Sequence, residues 1–163
     1  MSEQEQGPQH SKLRIWQQNL NKSCDAQLDL LANAGTTDWD LLLLQEPFLD
    51  SIGNTRAGPH WITLYPATHL IDRQPRTRVV ILVNKAIPSD TYRMLPIFSA
   101  DVMGIELSTD SGKLTLFNVY NSCIDNASIL TLSNYLQASR YLTNRTDDDQ
   151  MYWMGDFNRH HPI

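Results

Sequence analysis

The amino-acid sequence predicts one layered α/β domain, and three observations carry that prediction. Its 163 residues suit a single domain better than two. Apolar residues make up 41% of the chain, which has 7 glycines and 8 prolines, so disordered and low-complexity classes are excluded. Strand-like segments are interleaved with two helix-like segments, the order typical of mixed α/β layers.

Eight segments carry the sequence patterns of strands. The first alternates apolar and polar residues, the second is a run of four leucines that Pro47 stops, and the fourth is rich in β-branched residues. The turn Asp110-Ser-Gly112 predicts a hairpin between the sixth and the seventh. The predicted strands cover residues 13–19, 40–46, 61–65, 77–84, 92–95, 102–107, 113–120 and 152–158.

Two further segments predict helices. Ser23 is a suitable N-cap for a helix that runs to about Asn33. Asp125 or Asn126 can cap a second helix, and the helical spacing of its apolar residues extends it to about Leu142. The leucine run is too short for a helix and better suits a central strand covered on both faces.

The ends of the chain and its longest apolar runs limit the class of protein. Residues 1–12 have no apolar side chain after Met1 and predict a disordered lead, so the domain is expected to cover residues 13–163. The longest apolar runs, residues 41–44 and 79–83, are far shorter than the ~20 residues of a spanning helix. The polar start carries no signal peptide, so we expect neither secretion nor membrane insertion.

The charge of the chain is unevenly distributed. A net charge of −5 argues against a general nucleic-acid coat protein. Residues 56–93, however, hold six basic residues and two acidic ones, Arg76 and Arg78 among the basic. Such a stretch could steer a phosphate backbone towards an acidic metal pocket, or could be the solvated rim of a loop.

Polar side chains collect where three predicted strands end. Asn19 and Asn21 are two residues apart, as are Asp156 and Asn158, so each pair would face one side of an extended chain. Glu46 ends the leucine strand. Ligand sites of layered α/β proteins form at such strand ends, and carboxylates with carboxamides are suitable ligands for Mg²⁺ or Mn²⁺. The alternative is that these are ordinary turn residues.

Four motifs in order resemble the endonuclease/exonuclease/phosphatase superfamily, which has the DNase I-like four-layered α/β/β/α sandwich with mixed sheets. They are Trp16-Gln-Gln-Asn-Leu-Asn21, Leu-Leu-Gln-Glu46, Asn118-Val-Tyr120-Asn and Trp153-Met-Gly-Asp-Phe-Asn158. The tail Asp156-Phe-Asn-Arg-His-His-Pro162 is most similar to the endonuclease domains of LINE-type non-LTR retrotransposons.

The resemblance implies a role for each residue at the strand ends. Glu46 would be the principal metal ligand, and Asn21 would lie on the metal side, where many relatives have aspartate. Asp156 would orient and deprotonate the attacking water, with Asn158 placing that water and the phosphate. Asn19 matches the family asparagine of the first strand. Such chemistry needs a cation to neutralise the phosphodiester and a base to prepare the water.

The resemblance also implies residues that bind the substrate. Tyr120 matches a tyrosine near the scissile phosphate, and Asn121 follows it. Arg76 and Arg78 are candidates for DNA phosphates, although Arg78 could instead enter a strand and pack. His160 is a further candidate that could substitute for a missing family histidine.

One departure from the family concerns its closing Ser-Asp-His motif, which the sequence lacks. We therefore expect a C-terminally truncated domain whose second sheet has an open edge and whose activity is low or absent. His160 and His161 lie too close to Asp156 in sequence to occupy the position of the family histidine.

The sequence thus predicts a Mg²⁺- or Mn²⁺-dependent endonuclease domain that nicks DNA, leaving a 3′-hydroxyl and a 5′-phosphate. DNA is the expected partner, and no stable protein partner is implied; a retrotransposon product would act in the nucleus. One alternative within the fold is an inositol-phosphate phosphatase or sphingomyelinase-type hydrolase. The other is a non-catalytic remnant of a mobile element with at most weak nucleic-acid binding.

Overall fold

The computed structural model describes residues 12–35, 37–71, 76–139 and 144–158. Apart from Lys12, the predicted N-terminal lead lies outside these residues, and so does His160. No helix among the described residues is long and apolar enough to cross a bilayer. In chain order the elements are β1 (Ile15–Asn19), α1 (Cys24–Asn33), β2 (Leu41–Gln45), β3 (Trp61–Leu64), β4 (Val79–Asn84), β5 (Tyr92–Met94), β6 (Val102–Thr109), β7 (Gly112–Tyr120), α2 (Ala127–Ala138) and β8 (Gln150–Asp156).

The strands form two four-stranded sheets, ordered β1-β2-β4-β3 in the first sheet and β5-β6-β7-β8 in the second. Both sheets are mixed. In the first, β1 pairs with β2 in parallel and β4 is antiparallel to its neighbours. In the second, β7 and β8 are parallel, while β5, β6 and β7 form antiparallel pairs. The predicted mixed α/β architecture is confirmed.

The leucine run shows how the first sheet is covered on both faces. Leu41 and Leu43 of β2 pack into the core between the two sheets, whereas Leu42 and Leu44 pack against Leu30 on the α1 side. All four leucines are fully buried. Alternation along a strand therefore explains why a continuous apolar run is needed here.

The second sheet is covered by α2 in the same way. Leu132 and Leu136 of α2 pack with Phe117 and Val119, the outward-facing residues of β7. Helix α2 ends at Ala138, earlier than predicted. The four layers are therefore α1, the first sheet, the second sheet and α2.

Both helices begin at the predicted caps. The Ser23 hydroxyl accepts a hydrogen bond from Ala26 N at 3.1 Å, as an N-cap should. At the start of α2, Asp125 Oδ1 accepts from Ala127 N at 3.0 Å, while Asn126 is the N-cap residue without a side-chain cap bond. The sequence therefore fixes where each helix starts.

Two buried side-chain amides, those of Gln45 and Asn118, join the two sheets across the core, and the exposed Gln17 extends this connection along the first sheet. Asn118 of β7 is fully buried, and its Nδ2 donates to the main-chain oxygens of Leu44 at 3.1 Å and Val80 at 2.9 Å in the first sheet. Gln45 Nε2 donates in turn to Asn118 Oδ1, and Gln17 Nε2 donates to Gln45 Oε1. We call Gln17, Gln45 and Asn118 the amide chain. It fixes how the first sheet lies on the second.

The amide chain brings several strand ends to one edge of the sandwich, here called the strand-end edge. Strands β1, β2, β7 and β8 finish there, and β4 and β6 begin there. Glu46 N donates to Arg78 O at 2.7 Å, which joins the end of β2 to the start of β4. Tyr120 N donates to Asp101 O at 2.8 Å, which joins β7 to β6 in the same way.

We expect Asn118→Ala to lower the free energy of unfolding by at least about 3 kcal/mol, because it leaves two main-chain acceptors and the Gln45 amide without their buried partner. Asn54→Ala, in an exposed loop, should change it by less than about 0.5 kcal/mol. Urea denaturation of both variants measures this. Equal, small effects would show that the amide chain does not hold the sheets together.

Candidate active site

The end of β1 turns sharply and does not continue as extended chain. Asn21 and Lys22 have φ of 49° and 61°, in the left-handed region, and Ser23 N donates to Leu20 O at 2.9 Å. Asn21 N donates to Asn19 Oδ1 at 2.8 Å. The expectation that Asn19 and Asn21 share one side of an extended chain is therefore wrong, because the turn starts directly after β1.

The end of β2 carries Glu46 in a second left-handed position, with φ of 44°. Its side chain is only 10% exposed, and Oε1 lies 3.2 Å from the ammonium of Lys22, whose side chain is 70% exposed. Lys22 N also donates to Glu46 O at 2.8 Å. Two non-glycine residues thus hold an uncommon backbone conformation so that a cation and a carboxylate meet.

The end of β8 places Asp156 against the end of β1. Asn19 Nδ2 donates to Asp156 Oδ2 at 2.6 Å, and Asn158 N donates to Asp156 Oδ1 at 3.0 Å. Asn158 has φ of 44°, so Asp156 and Asn158 do not share a side of one strand as predicted. Instead, the chain turns and Asn158 Nδ2 donates to Asn121 O at 2.7 Å.

Gly155 explains the glycine before Asp156 in the last motif. Its φ is +151°, and a Cβ at this position would lie 1.8 Å from Val119 O. Any side chain would push β8 away from β7, because the neighbouring atom is rigid main chain. The glycine therefore lets Asp156 lie beside Asn19.

Asn121 ties the end of β7 to the chain around Asp156. It is 1% exposed, its N donates to Asp156 O at 2.8 Å, and its Nδ2 donates to Phe157 O at 3.0 Å. Together with the bond from Asn158, these contacts hold the β7 and β8 ends as one unit. Asn121 is therefore a buried support behind Asp156.

Tyr120 is held beneath an arginine at the same edge. The Arg78 guanidinium lies 4.7 Å from the centre of the Tyr120 ring and donates to both carboxylate oxygens of Asp101 at 2.7 Å. Burial raises the pKa of the Tyr120 hydroxyl, and the negative charge of Glu46 raises it further. The raised pKa extends to higher pH the range in which this hydroxyl is protonated and can donate.

A cleft of about 470 Å³ opens beside Glu46 and gives it access to solvent. Arg76 is exposed at its mouth, whereas the Arg78 guanidinium is partly buried against Tyr120 and Asp101. The residues that line it are Lys22, Glu46, Pro47, Phe48, Leu49, Arg76, Thr77 and Arg78. An adjoining cleft shares three of these lining residues, and His69 is among its others.

The structure thus brings together most of the residues singled out from the sequence. Hydrogen bonds connect Asn19, Asp156, Asn158 and Asn121. The sequence analysis did not single out Lys22 as a site residue, although Lys22 directly follows Asn21. Asp101, the partner of Arg78, was also missed, because no local pattern marks a residue whose partner lies 23 positions away.

The donor atoms at this edge fit a hard divalent cation. Within the described residues no group of three or more His, Cys, Asp or Glu side chains could form a metal site. Asp101 is bound by Arg78, which leaves Glu46 and Asp156, among the described residues, as carboxylates of this edge without an arginine partner, and Asn19, Asn21 and Asn158 lie at the same strand ends. Mg²⁺ is commonly held by one or two carboxylates, with waters and substrate phosphate completing its coordination. The residues therefore suit Mg²⁺ better than an ion that needs an all-protein cage.

Comparisons with solved structures assign the fold. The chain is similar to the endonuclease domain of TRAS1, a telomere-specific non-LTR retrotransposon, with a TM-score of 0.64 and 16% identity over 92% of this chain and 61% of that one. It is also similar to humanized D. rerio TDP2 with 14 mutations, with a TM-score of 0.51 and 12% identity over 91% of this chain and 63% of that one.

Both proteins have the DNase I-like fold, and the chain therefore has that fold. The prediction of a four-layered DNase I-like sandwich is confirmed. The chain spans less than two thirds of the length of either structure. Its sequence matches no family model and no curated protein.

The Tyr120 hydroxyl provides a test of the site geometry that does not need activity. Glu46→Gln should lower the pKa of Tyr120, because it removes the largest charge effect that raises it. NMR titration of the tyrosine Cζ resonances measures this. Tyr135, whose pKa is raised by burial in the α2 core, is the internal control and should not move. If the pKa values of Tyr120 and Tyr135 shift equally, or if neither shifts, the placement of Glu46 near Tyr120 would be contradicted.

Proposed function

We propose that this chain provides the metal-binding and water-orienting residues of a divalent-metal-dependent phosphodiesterase that nicks DNA, as a non-LTR retrotransposon endonuclease domain does. The observation that carries the proposal is the 2.6 Å hydrogen bond between Asn19 Nδ2 and Asp156 Oδ2. It joins the two sheets where Glu46 also ends its strand. The DNase I-like fold supports the same class of chemistry.

Asp156 is the proposed general base. One of its oxygens accepts from Asn19 and the other from Asn158 N, so the carboxylate cannot rotate. Each carboxylate oxygen has a second lone pair that a water can use. A fixed carboxylate can therefore orient a water and take its proton as the water attacks phosphorus.

Glu46, with the amide oxygen of Asn21, would hold Mg²⁺ or Mn²⁺, which when bound neutralises charge on the phosphodiester. The Asn21 amide carries no charge of its own, so Glu46 supplies the negative charge on this side. Its 10% exposure keeps the carboxylate shielded from bulk water while the adjoining cleft leaves it reachable. This arrangement suits an ion shared with the substrate.

Tyr120 and Asn158 are proposed to contact the phosphate. The Tyr120 hydroxyl can donate to a phosphate oxygen, and the overlying Arg78 fixes its ring. Because Arg78 is engaged with Asp101 and Tyr120, we assign it to positioning, and we assign the exposed Arg76 to DNA phosphates. A role of His160 in substrate binding remains a prediction from the sequence.

We expect slow nicking of supercoiled plasmid in Mg²⁺ or Mn²⁺, with none in EDTA. The rate should be low, since a histidine donor of the kind that the resemblance implies contributes about 10²–10³ in rate and no described residue is assigned that role. Asp156→Asn should reduce the rate by a further factor of about 10² or more. Glu46→Gln should abolish metal-dependent nicking, because it removes the proposed metal ligand.

The matched control is Asp125→Asn, since Asp125 is an exposed cap whose amide replacement keeps the acceptor for Ala127 N. It should nick as the unmodified chain does. Metal-dependent nicking that survives both Asp156→Asn and Glu46→Gln would contradict the proposal.

A further inference from the structure

Lys22 forms an ion pair with the proposed metal ligand Glu46, and the mechanism above does not use it. Its ammonium lies 3.2 Å from Glu46 Oε1. Its side chain is 70% exposed, so it can leave the carboxylate at little cost in burial. Because the ammonium is open to solvent although Glu46 is nearly buried, we expect the pair to be weak, on the order of a few-fold in an equilibrium constant.

The backbone of Lys22 also contacts Glu46. Its φ of 61° is unfavourable for a residue with a side chain, and its N–H donates to Glu46 O. Main chain and side chain of Lys22 thus both meet Glu46. Such a position is more naturally filled by glycine or asparagine, so a lysine there points to a use for its charge.

Other cations at the cleft cannot replace Lys22 in this position. The Arg78 guanidinium is bound to both oxygens of Asp101 and lies over Tyr120. Arg76 lines the same cleft at its exposed mouth. Among the described residues, Lys22 is therefore the cation that a metal ion at Glu46 would meet first.

We propose that Lys22 is a displaceable counter-ion of Glu46. In the metal-free protein its ammonium neutralises the carboxylate; when a divalent cation binds Glu46, like-charge repulsion drives the ammonium into the cleft, where it binds a DNA phosphate. This inference rests on the proposed function. It makes Lys22 weaken metal binding in the absence of DNA and strengthen DNA binding in the presence of metal.

The first experiment measures Mn²⁺ affinity of the DNA-free 163-residue chain by electron paramagnetic resonance of the free ion. Lys22→Gln should bind Mn²⁺ about two- to fivefold more tightly, since the competing cation is gone. Lys22→Arg should match the unmodified chain. The control Lys113→Gln removes a comparable exposed lysine from its pair with Glu106, 3.4 Å away in the second sheet, and should have no effect. Glu46→Gln should lose the site.

The second experiment measures the salt dependence of binding to duplex DNA in the Asp156→Asn background, with Mn²⁺ and with EDTA. With Mn²⁺, Lys22→Gln should lower the slope of log affinity against log salt by about 1, the loss of one phosphate contact. In EDTA the slope should change less, because Lys22 is then paired with Glu46. Circular dichroism melts check that each variant is folded.

The outcomes separate this inference from the proposed function. If Glu46→Gln loses Mn²⁺ but Lys22→Gln binds it no more tightly than the unmodified chain, the counter-ion role is wrong and the metal site stands. If the unmodified chain and Lys22→Gln both bind no Mn²⁺, the metal site itself is wrong and both proposals fall. A slope change that is equal with Mn²⁺ and with EDTA would overturn the displacement of Lys22.

Discussion

The site depends on the amide chain formed by Gln17, Gln45 and Asn118. Two sheets packed only through aliphatic side chains could slide over each other, because apolar contacts are non-directional. Hydrogen bonds are directional, and unmatched amides in a core are unfavourable by about 1–3 kcal/mol each. Asn118 can bind Leu44, Val80 and Gln45 together only while the two sheets keep this arrangement. That arrangement also places the ends of β1 and β8 within hydrogen-bond distance of each other.

The inner faces of the strands change character towards the strand-end edge. Aliphatic residues such as Leu43 and Leu116 fill the centre of the core, and the amide chain follows one step further along the strands. Asn19, Tyr120 and Asp156 come last. The polar side chains of the site are thus supported from behind by the buried amides of Gln45 and Asn118, whose nitrogen and oxygen atoms are all hydrogen-bonded. A site built this way is rigid before any ligand binds, which favours precise placement of a water and a phosphate.

Local sequence patterns predicted the helices and strands well. The contacts that build the site join residues far apart in sequence, and local patterns could not predict them. The leucine run and the Ser23 cap needed only neighbouring residues to be recognised. By contrast, Asn118 finds Gln45 across 73 positions and Asn19 finds Asp156 across 137. The two-residue spacing at the strand ends led to a wrong prediction of which side chains share a face. That prediction required extended chain, whereas the backbone at Asn21 and Asn158 is in the left-handed region. Glu46 and Asp156 were singled out at the predicted strand ends and received their roles through the family resemblance, whereas the contact between Lys22 and Glu46 was found only in the structure.

The claim that the two sheets converge on one cation site is tested most directly by anomalous diffraction from Mn²⁺-soaked crystals of this chain. We expect the strongest anomalous peak at the Glu46 carboxylate, on the strand-end edge, with the hydrogen bond between Asn19 and Asp156 intact. A peak remote from Glu46, or a structure in which Glu46 and Asp156 face different edges of the sandwich, would contradict the claim.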